Sequence, residues 1–282
     1  MSSPEWFQRW FGDDYKRLYP HRDGTQATAQ TEALLAAVRR VRAASVASAA
    51  AAPAAESTTS LVPAAPLSVL DVGCGAGRHL AALRAQAGVR AVGIDLSRVL
   101  LRDARRAGLA VARADMRRLP FADARFDVVA SFFTSFGYFA TADEDAATLR
   151  EFVRVTRPGG FLFLDLPNRQ AVVRDLVPAD TATLPGRRVE MTRAVEGDVV
   201  VKRIVILSDD GETTYHEERV RLYELSALAP LFARAGLEIA GMMGDEHGAP
   251  FDPATSPRMS LLLHRTAVAE AGDHARAEGE AR

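Results

Sequence analysis

The chain has 282 residues, 48% hydrophobic and 25% charged, proportions of an ordinary globular protein that exclude fibrous, collagen-like and wholly disordered classes. Its 35 Lys and Arg against 36 Asp and Glu leave a net charge of -1, so no global positive field draws it to nucleic acid or to an anionic membrane. The single cysteine, Cys74, rules out an internal disulfide and any multi-cysteine zinc site, in keeping with a reducing compartment.

The opening residues, Met1 to Asp14, carry no basic region leading into an apolar stretch, and no run approaches the roughly 20 apolar residues of a transmembrane helix. The expectation is a soluble cytoplasmic protein. Aromatic residues (Trp6, Phe7, Trp10, Phe11, Tyr15, Tyr19) precede a predicted helix near Thr28 to Arg42, in which Leu34, Leu35, Val38 and Val41 recur at helical spacing and form a docking face. From Ala43 to Pro66 the composition collapses to Ala, Ser, Thr, Pro and Val, with Pro53, Pro63 and Pro66 against a continuous helix, which reads as a flexible linker whose early alanines can extend the preceding helix.

Strand and helix then alternate. Predicted strands are Leu67 to Val72, Arg90 to Asp95, Ala110 to Ala114, Phe126 to Phe132 and Phe161 to Leu166. Predicted helices are Arg78 to Gln86, Arg98 to Ala107 and Glu144 to Thr156. Such alternation builds a parallel sheet with right-handed crossovers. After Asn168 three β segments, Arg187 to Val195, Val199 to Ser208 and Thr213 to Glu224, read as an antiparallel meander inserted into the α/β frame. A helix (Ser226 to Ala235), two strands (Leu237 to Met243 and Arg258 to His264) and a tail from Thr266 close the chain.

Chemistry concentrates at the strand ends. Asp71 closes the first strand and is followed by Gly73-Cys74-Gly75-Ala76-Gly77, whose glycines let backbone approach a ligand while the next helix offers N–H donors. The dinucleotide pattern Gly-x-Gly-x-x-Gly fails in both registers, at Arg78 and at Leu80, which counts against NAD or FAD. Asp95 ends the second strand, where a carboxylate accepts hydrogen bonds from ribose hydroxyls. Asp115 and Met116 end the third, one an acceptor for an exocyclic amine and the other a soft cover for a purine face. Open α/β sheets bind ligands beyond these carboxyl ends, so the positions converge on one crevice.

These motifs resemble the class I S-adenosylmethionine-dependent methyltransferases. The resemblance rests on Val69 to Gly77, Gly93-Ile94-Asp95-Leu96-Ser97, Ala114-Asp115-Met116, Leu119-Pro120-Phe121, Phe126-Asp127-Val128-Val129 and Val155-Thr156-Arg157-Pro158-Gly159-Gly160, and covers about residues 67 to 167. It implies a Rossmann-like, doubly wound, seven-stranded sheet whose last strand is antiparallel, with an N-terminal helical lid and a small antiparallel β insertion. It also implies S-adenosylmethionine as cofactor. The glycine loop (Gly73, Cys74, Gly75, Gly77) and Asp71 then surround the methionine moiety, Asp95 with Leu96 the ribose, and Asp115 with Met116 the adenine. Phe132 and Tyr15 are expected as further cofactor contacts. In these terms the chain divides into a lid (1–42), a linker (43–66), a methyltransferase domain (67–265, insertion 187–224) and a tail (266–282).

Further segments resemble a narrower group of bacterial small-molecule methyltransferases: Trp10-Phe11-Gly12, Tyr19-Pro20-His21-Arg22-Asp23, Phe133 to Tyr138, Glu218 to Tyr223 and Ser256-Pro257-Arg258-Met259. The expected reaction is methyl transfer to N or O of a small molecule. Phe132 to Tyr138 lacks the Asn- or Asp-Pro-Pro-aromatic motif that grips a flipped base, which disfavours a nucleic-acid acceptor. Asp143, Glu144 and Asp145 read as the acidic first turn of a helix rather than as metal ligands. Candidates for orienting or deprotonating the acceptor are Tyr19, His21 and Tyr138, with His216 and His247 also in lid or mouth segments. Arg258 is expected to pair with a carboxylate. Two alternatives stay open on sequence alone: a non-catalytic cofactor-binding module and a nucleotide-dependent oxidoreductase.

Overall fold

The computed structural model describes residues 5–19, 24–50 and 65–266. His21 lies outside them, as do residues 51–64 of the expected linker and the expected tail beyond Thr266. Two short helices open the chain, α1 (Trp6–Trp10) and α2 (Asp13–Leu18), followed by α3 (Gly24–Ala50). Helix α3 starts before the predicted Thr28 and runs eight residues past Arg42, because the alanines that follow are the best helix formers. The first part of the expected linker is therefore helical. As the periodicity required, Leu34, Leu35 and Val38 are buried, packed on Leu67, Val69, Leu80, Leu83 and Val128.

The α/β frame follows as β1 (Leu67–Val72), α4 (Arg78–Ala85), β2 (Val89–Asp95), α5 (Arg98–Arg106), β3 (Val111–Arg113), β4 (Phe126–Ser131), α6 (Ala142–Val155) and β5 (Thr156–Pro167). Then come α7 (Arg169–Arg174), β6 (Ala179–Leu184), β7 (Arg187–Glu196), β8 (Val199–Ser208), β9 (Thr213–Arg221), α8 (Leu225–Arg234), β10 (Leu237–Met243) and β11 (Arg258–Arg265). Seven strands form one sheet in the order β10-β11-β5-β4-β1-β2-β3. The pairs from β5 to β3 are parallel, and β11, the last strand, is antiparallel to both of its neighbours.

Central strands are buried on both faces and therefore read as unbroken apolar runs. Val69, Leu70 and Val72 of β1, Val128 to Ala130 of β4 and Phe161 to Leu164 of β5 are each at most 1% exposed. One apolar cluster fills the face toward α6 and α8, and a second lies under α3 and α4. Helix α6 begins with a capping box in which Thr141 and Glu144 satisfy each other's backbone N–H groups, and its acidic residues sit in the first turn.

The antiparallel insertion has four strands, not three, in the order β6-β7-β8-β9. The additional strand, Ala179-Asp-Thr-Ala-Thr-Leu184, has no buried residue and hence no apolar alternation to betray it. It is ordered by its pairing with β7. The inner face of this sheet (Val189, Met191, Ile204, Ile206) packs against Trp10, Phe11, Tyr15, Leu18 and Tyr19 of the lid helices.

Candidate active site

The crevice forms where β1 meets β2 and the chain turns into α4. Gly73 and Gly77 have φ of 74° and 90°, which side-chain-bearing residues rarely adopt. A Cβ at Gly73 would lie 2.5 Å from Ser135 Oγ, and one at Gly77 would lie 2.2 Å from Leu109 Cδ1. Only glycine permits this backbone in this space. The loop is fastened to the neighbouring strand by Gly73 and Cys74 N–H groups donating to the Ile94 carbonyl, both at 2.9 Å. Asp95 completes the tie: Oδ2 accepts from Gly75 N at 2.9 Å and Oδ1 from Ser97 N at 2.7 Å.

Two carboxylates therefore sit in low dielectric at adjacent strand ends. Burial raises the Asp95 carboxyl above its ordinary value, opposed by the backbone N–H groups of Ser97, Gly75 and Leu96. Asp71 is 1% exposed and its Oδ2 has no hydrogen-bond partner. Burial first, then the Asp95 charge, pushes Asp71 up to about 7, with Arg78 pulling the other way. The same burial, with the Asp71 and Asp95 charges, pushes the Cys74 thiol far up, away from the thiolate form.

A cavity of about 480 Å³ opens above the loop. Gly73, Cys74, Gly75, Gly77, Asp95, Leu96, Met116, Phe132, Tyr15, Tyr19 and Tyr138 all line it, so eleven residues chosen from sequence converge there. Asp71 lies beneath the loop and outside the lining. Asp115 is also absent from the lining, because its carboxylate turns to Arg117: Nη2 donates at 2.7 Å, Nε at 3.1 Å, and the Arg117 backbone N–H at 2.9 Å. Burial would raise this carboxyl, yet the Arg117 bonds and charge hold it below its ordinary value. Arg117 also pairs with Glu5 at 2.8 Å and Glu144 at 3.1 Å, joining the lid, the third strand end and α6.

The lid closes one side of the cavity with aromatic rings. Tyr138 meets Trp6 edge-on at 4.9 Å between centroids and stacks on Phe11 at 5.8 Å, while Trp6 Nε1 donates to the Tyr138 carbonyl at 3.3 Å. Ser97 Oγ donates to the Phe11 carbonyl at 2.5 Å. Across the insertion, Trp10 Nε1 donates to Glu218, Lys202 Nζ donates to the Tyr19 hydroxyl, and Arg187 pairs with Asp14 at 2.6 Å. His216 is half-buried beside the Trp10 ring and 3.8 Å from Asp14; burial lowers its pKa, and it does not line the cavity. His247 is exposed and also outside the lining.

Phe133 and Ser135, from the Phe133 to Tyr138 loop singled out in the sequence, are also in the lining, as is His79, which sequence reasoning missed. His79 is buried, stacked on Phe132 at 4.3 Å with rings 2° from parallel, and bonded through Nε2 to Gln30 Oε1 at 3.0 Å. Burial, with Arg78 adding to it, drops its pKa to about 3, so the imidazole is neutral. Its one sequence signal was adjacency to the glycine loop in the first turn of α4. Arg258 pairs with Asp165 at 2.9 Å. Among the described residues no group of three or more His, Cys, Asp or Glu is arranged to hold a metal ion, and no helix is long and apolar enough to cross a membrane.

Residues 69–160 match the family model described as a methyltransferase domain. The chain is 32% identical over 209 residues to a cypemycin N-terminal methyltransferase from Streptomyces sp, covering 70% of this chain and 83% of that one. It is 30% identical over 192 residues to a dTDP-3-amino-3,4,6-trideoxy-α-D-glucopyranose N,N-dimethyltransferase from Streptomyces venezuelae, covering 64% and 79% of the two. Among solved structures, a sugar N-methyltransferase from Streptoalloteichus sp shares the fold with a TM-score of 0.65 at 23% identity, over 95% of this chain and 98% of that one. A sequence relationship across most of the relative's length, the seven-stranded sheet and the glycine-loop crevice place this chain in the class I S-adenosylmethionine-dependent methyltransferase family.

Proposed function

We propose that the enzyme transfers the methyl group of S-adenosylmethionine to a nitrogen or oxygen of a small-molecule acceptor, by direct displacement, in the cavity between the glycine loop and the aromatic lid. The observation that carries this reading is the lining of that cavity. Its lining joins strand-end groups (Gly73, Gly75, Asp95, Ser97) to the rings of Phe7, Phe11, Tyr15, Tyr19, Phe133 and Tyr138. The relatives' own acceptors, a peptide N-terminus and an amino sugar by their names, favour an amine over a hydroxyl.

The donor set fits the cofactor. Asp71 offers an unpartnered carboxylate oxygen for an ammonium group, and each Asp95 oxygen retains a lone pair for a ribose hydroxyl after its backbone bond. Met116 and Leu96 supply apolar cover for the adenosine, with Phe132 and Tyr15 on the flank, and Asp115 lies one residue behind, shared with Arg117. When bound, the cofactor supplies a methyl group activated by a positively charged sulfur. The chain's part is alignment and exclusion of water. Tyr19, Tyr138 and His21 are assigned to orienting the acceptor or taking its proton.

The test is incubation with methyl-labelled S-adenosylmethionine and separate pools of amino sugars, free-N-terminus peptides and hydroxylated metabolites. Label is expected in a small amine. Label recovered solely in RNA or in intact protein would refute the small-molecule reading.

A further inference from the structure

Phe133 and Thr134 are consecutive non-glycine residues with φ of 50° and 67°. The left-handed region is unfavourable for such residues, and a β-branched threonine there is an outlier. Such a conformation persists only where the surroundings over-determine it, and here they do. Phe133 N donates to Asp165 Oδ2 at 2.8 Å, and Thr134 N donates to the Asp165 carbonyl at 3.0 Å. Arg258 Nε donates to Asp165 Oδ1 at 2.9 Å, and its Nη2 reaches Thr134 Oγ1 at 2.9 Å and the Asp165 carbonyl at 3.1 Å. Ser260, the cross-strand partner of Asp165, donates Oγ to Oδ1 at 2.9 Å. Gln30 of α3 bonds His79 at 3.0 Å.

Asp165 is 1% exposed among strands otherwise filled by Phe, Leu and Val. A buried ion pair in such a place is weak evidence for stability, since apolar residues of similar size serve as well. Burial alone would raise this carboxyl, yet the Arg258 charge and the converging donors hold it below its ordinary value, so it is an anion built to accept. The residue it places is Phe133. That ring lines the cavity and lies 4.3 Å from the Arg78 guanidinium carbon and 5.5 Å from that of Arg258. Asp165 and Arg258 do not line the cavity themselves.

The geometry points to Asp165 and Arg258 as positioning residues for methyl transfer, holding Phe133 and Thr134 in the left-handed conformation that sets the Phe133 ring in the cavity wall. This rests on the reading of that cavity as the acceptor site. Arg258 acts through the backbone it pins, not by touching the acceptor.

The experiment compares the full chain carrying Arg258→Lys, Thr134→Gly and both together. Lysine keeps the charge opposite Asp165 but loses the planar fork that spans Asp165 and Thr134. Glycine takes a φ near +67° without being held. Arg258→Lys is expected to lower kcat on the amine that the wild-type chain methylates by on the order of 10- to 100-fold, the scale of a misplacement of about 1 Å. Its affinity for S-adenosylmethionine should stay within a factor of two. Hydrogen exchange of the peptide spanning residues 132–139 should speed up. Adding Thr134→Gly should restore most of kcat and slow the exchange. Unchanged exchange in Arg258→Lys, or no recovery in the double variant, would overturn the positioning role. Phe133→Ala with unchanged turnover would instead overturn the placement of the acceptor site.

Discussion

The carboxylate of Asp95 and the backbone of Gly75 are joined at 2.9 Å, so the residue assigned to the ribose also fixes the loop assigned to the methionine moiety. Replacing Asp95 by Ala removes the acceptor for two backbone N–H groups as well as for the cofactor. The cofactor share is about 1.5 to 3 kcal/mol, the range for hydrogen bonds to a charged group, or roughly 10- to 150-fold in affinity. Asn is expected to do little better than Ala, because its amide NH₂ meets one of the two backbone N–H donors. Calorimetry with S-adenosylmethionine reads this directly. A folded Asp95→Ala with wild-type affinity would remove Asp95 from the ribose.

Asp71 makes stability and binding pull in opposite directions. Its carboxyl moves from an ordinary value of 3.8 to about 7 in the folded chain. Between those values the folded state retains a proton that the unfolded state has released, so stability falls as pH rises through the window and levels off above about 7. Each pKa unit is about 1.4 kcal/mol. Asp71→Asn is therefore expected to stabilise the cofactor-free chain on the order of 2 to 4 kcal/mol at pH 8, less at pH 5.5, while weakening cofactor binding. Urea unfolding at the two pH values tests it; a gain independent of pH would mean that the wild-type group is not protonated by burial.

Legibility in the sequence followed the range of the interactions. Strands β1, β2 and β4 were predicted to within one residue at each end, because their apolar runs and flanking turns are local. Strand β6 was not, since only pairing with β7 orders it. At the site, strand-end position and glycine geometry are written into short motifs, which is why Gly73, Asp95 and Met116 were found. The tie from Arg117 to Glu5 in the N-terminal segment spans 112 residues. The Asp165–Arg258–Thr134 network joins β5, β11 and the loop after β4 across the core. No local pattern encodes either.

Arg117 ties three carboxylates from three parts of the fold: Glu5 before α1, Asp115 after β3 and Glu144 in α6. Its guanidinium also lies 4.5 Å from the centre of the Phe139 ring. Arg117→Met keeps much of the stem packing and leaves like charges facing one another. Partly exposed pairs contribute roughly 0.2 to 1 kcal/mol each, so cofactor dissociation should quicken about 3- to 10-fold as the lid opens more often. The effect should shrink with added salt. Stopped-flow release of S-adenosylhomocysteine measures it, and an unchanged off-rate at low salt would show that Arg117 does not hold the lid.

The acceptor end of the cavity yields the most direct test of chemistry. Tyr138 is braced by Trp6, Phe7 and Phe11, so Tyr138→Phe leaves the ring packing and removes only the hydroxyl. The Tyr19 hydroxyl accepts from Lys202, and an ammonium group has no acceptor of its own, so the tyrosine proton is directed elsewhere. Tyr19→Phe removes that hydroxyl and keeps the ring in the cavity lining. Displacement at a methyl group needs alignment more than proton transfer, so each tyrosine variant is expected to lose on the order of 10- to 100-fold in kcat with cofactor affinity retained. His21→Ala separates orientation from base catalysis. An imidazole base brings a fall in rate below about pH 6.5, the reference value for the free side chain, whereas an orienting residue leaves the profile unmoved. If Tyr19→Phe, Tyr138→Phe and His21→Ala all turn over within a factor of two of wild type, the acceptor does not sit between the lid and the loop after β4.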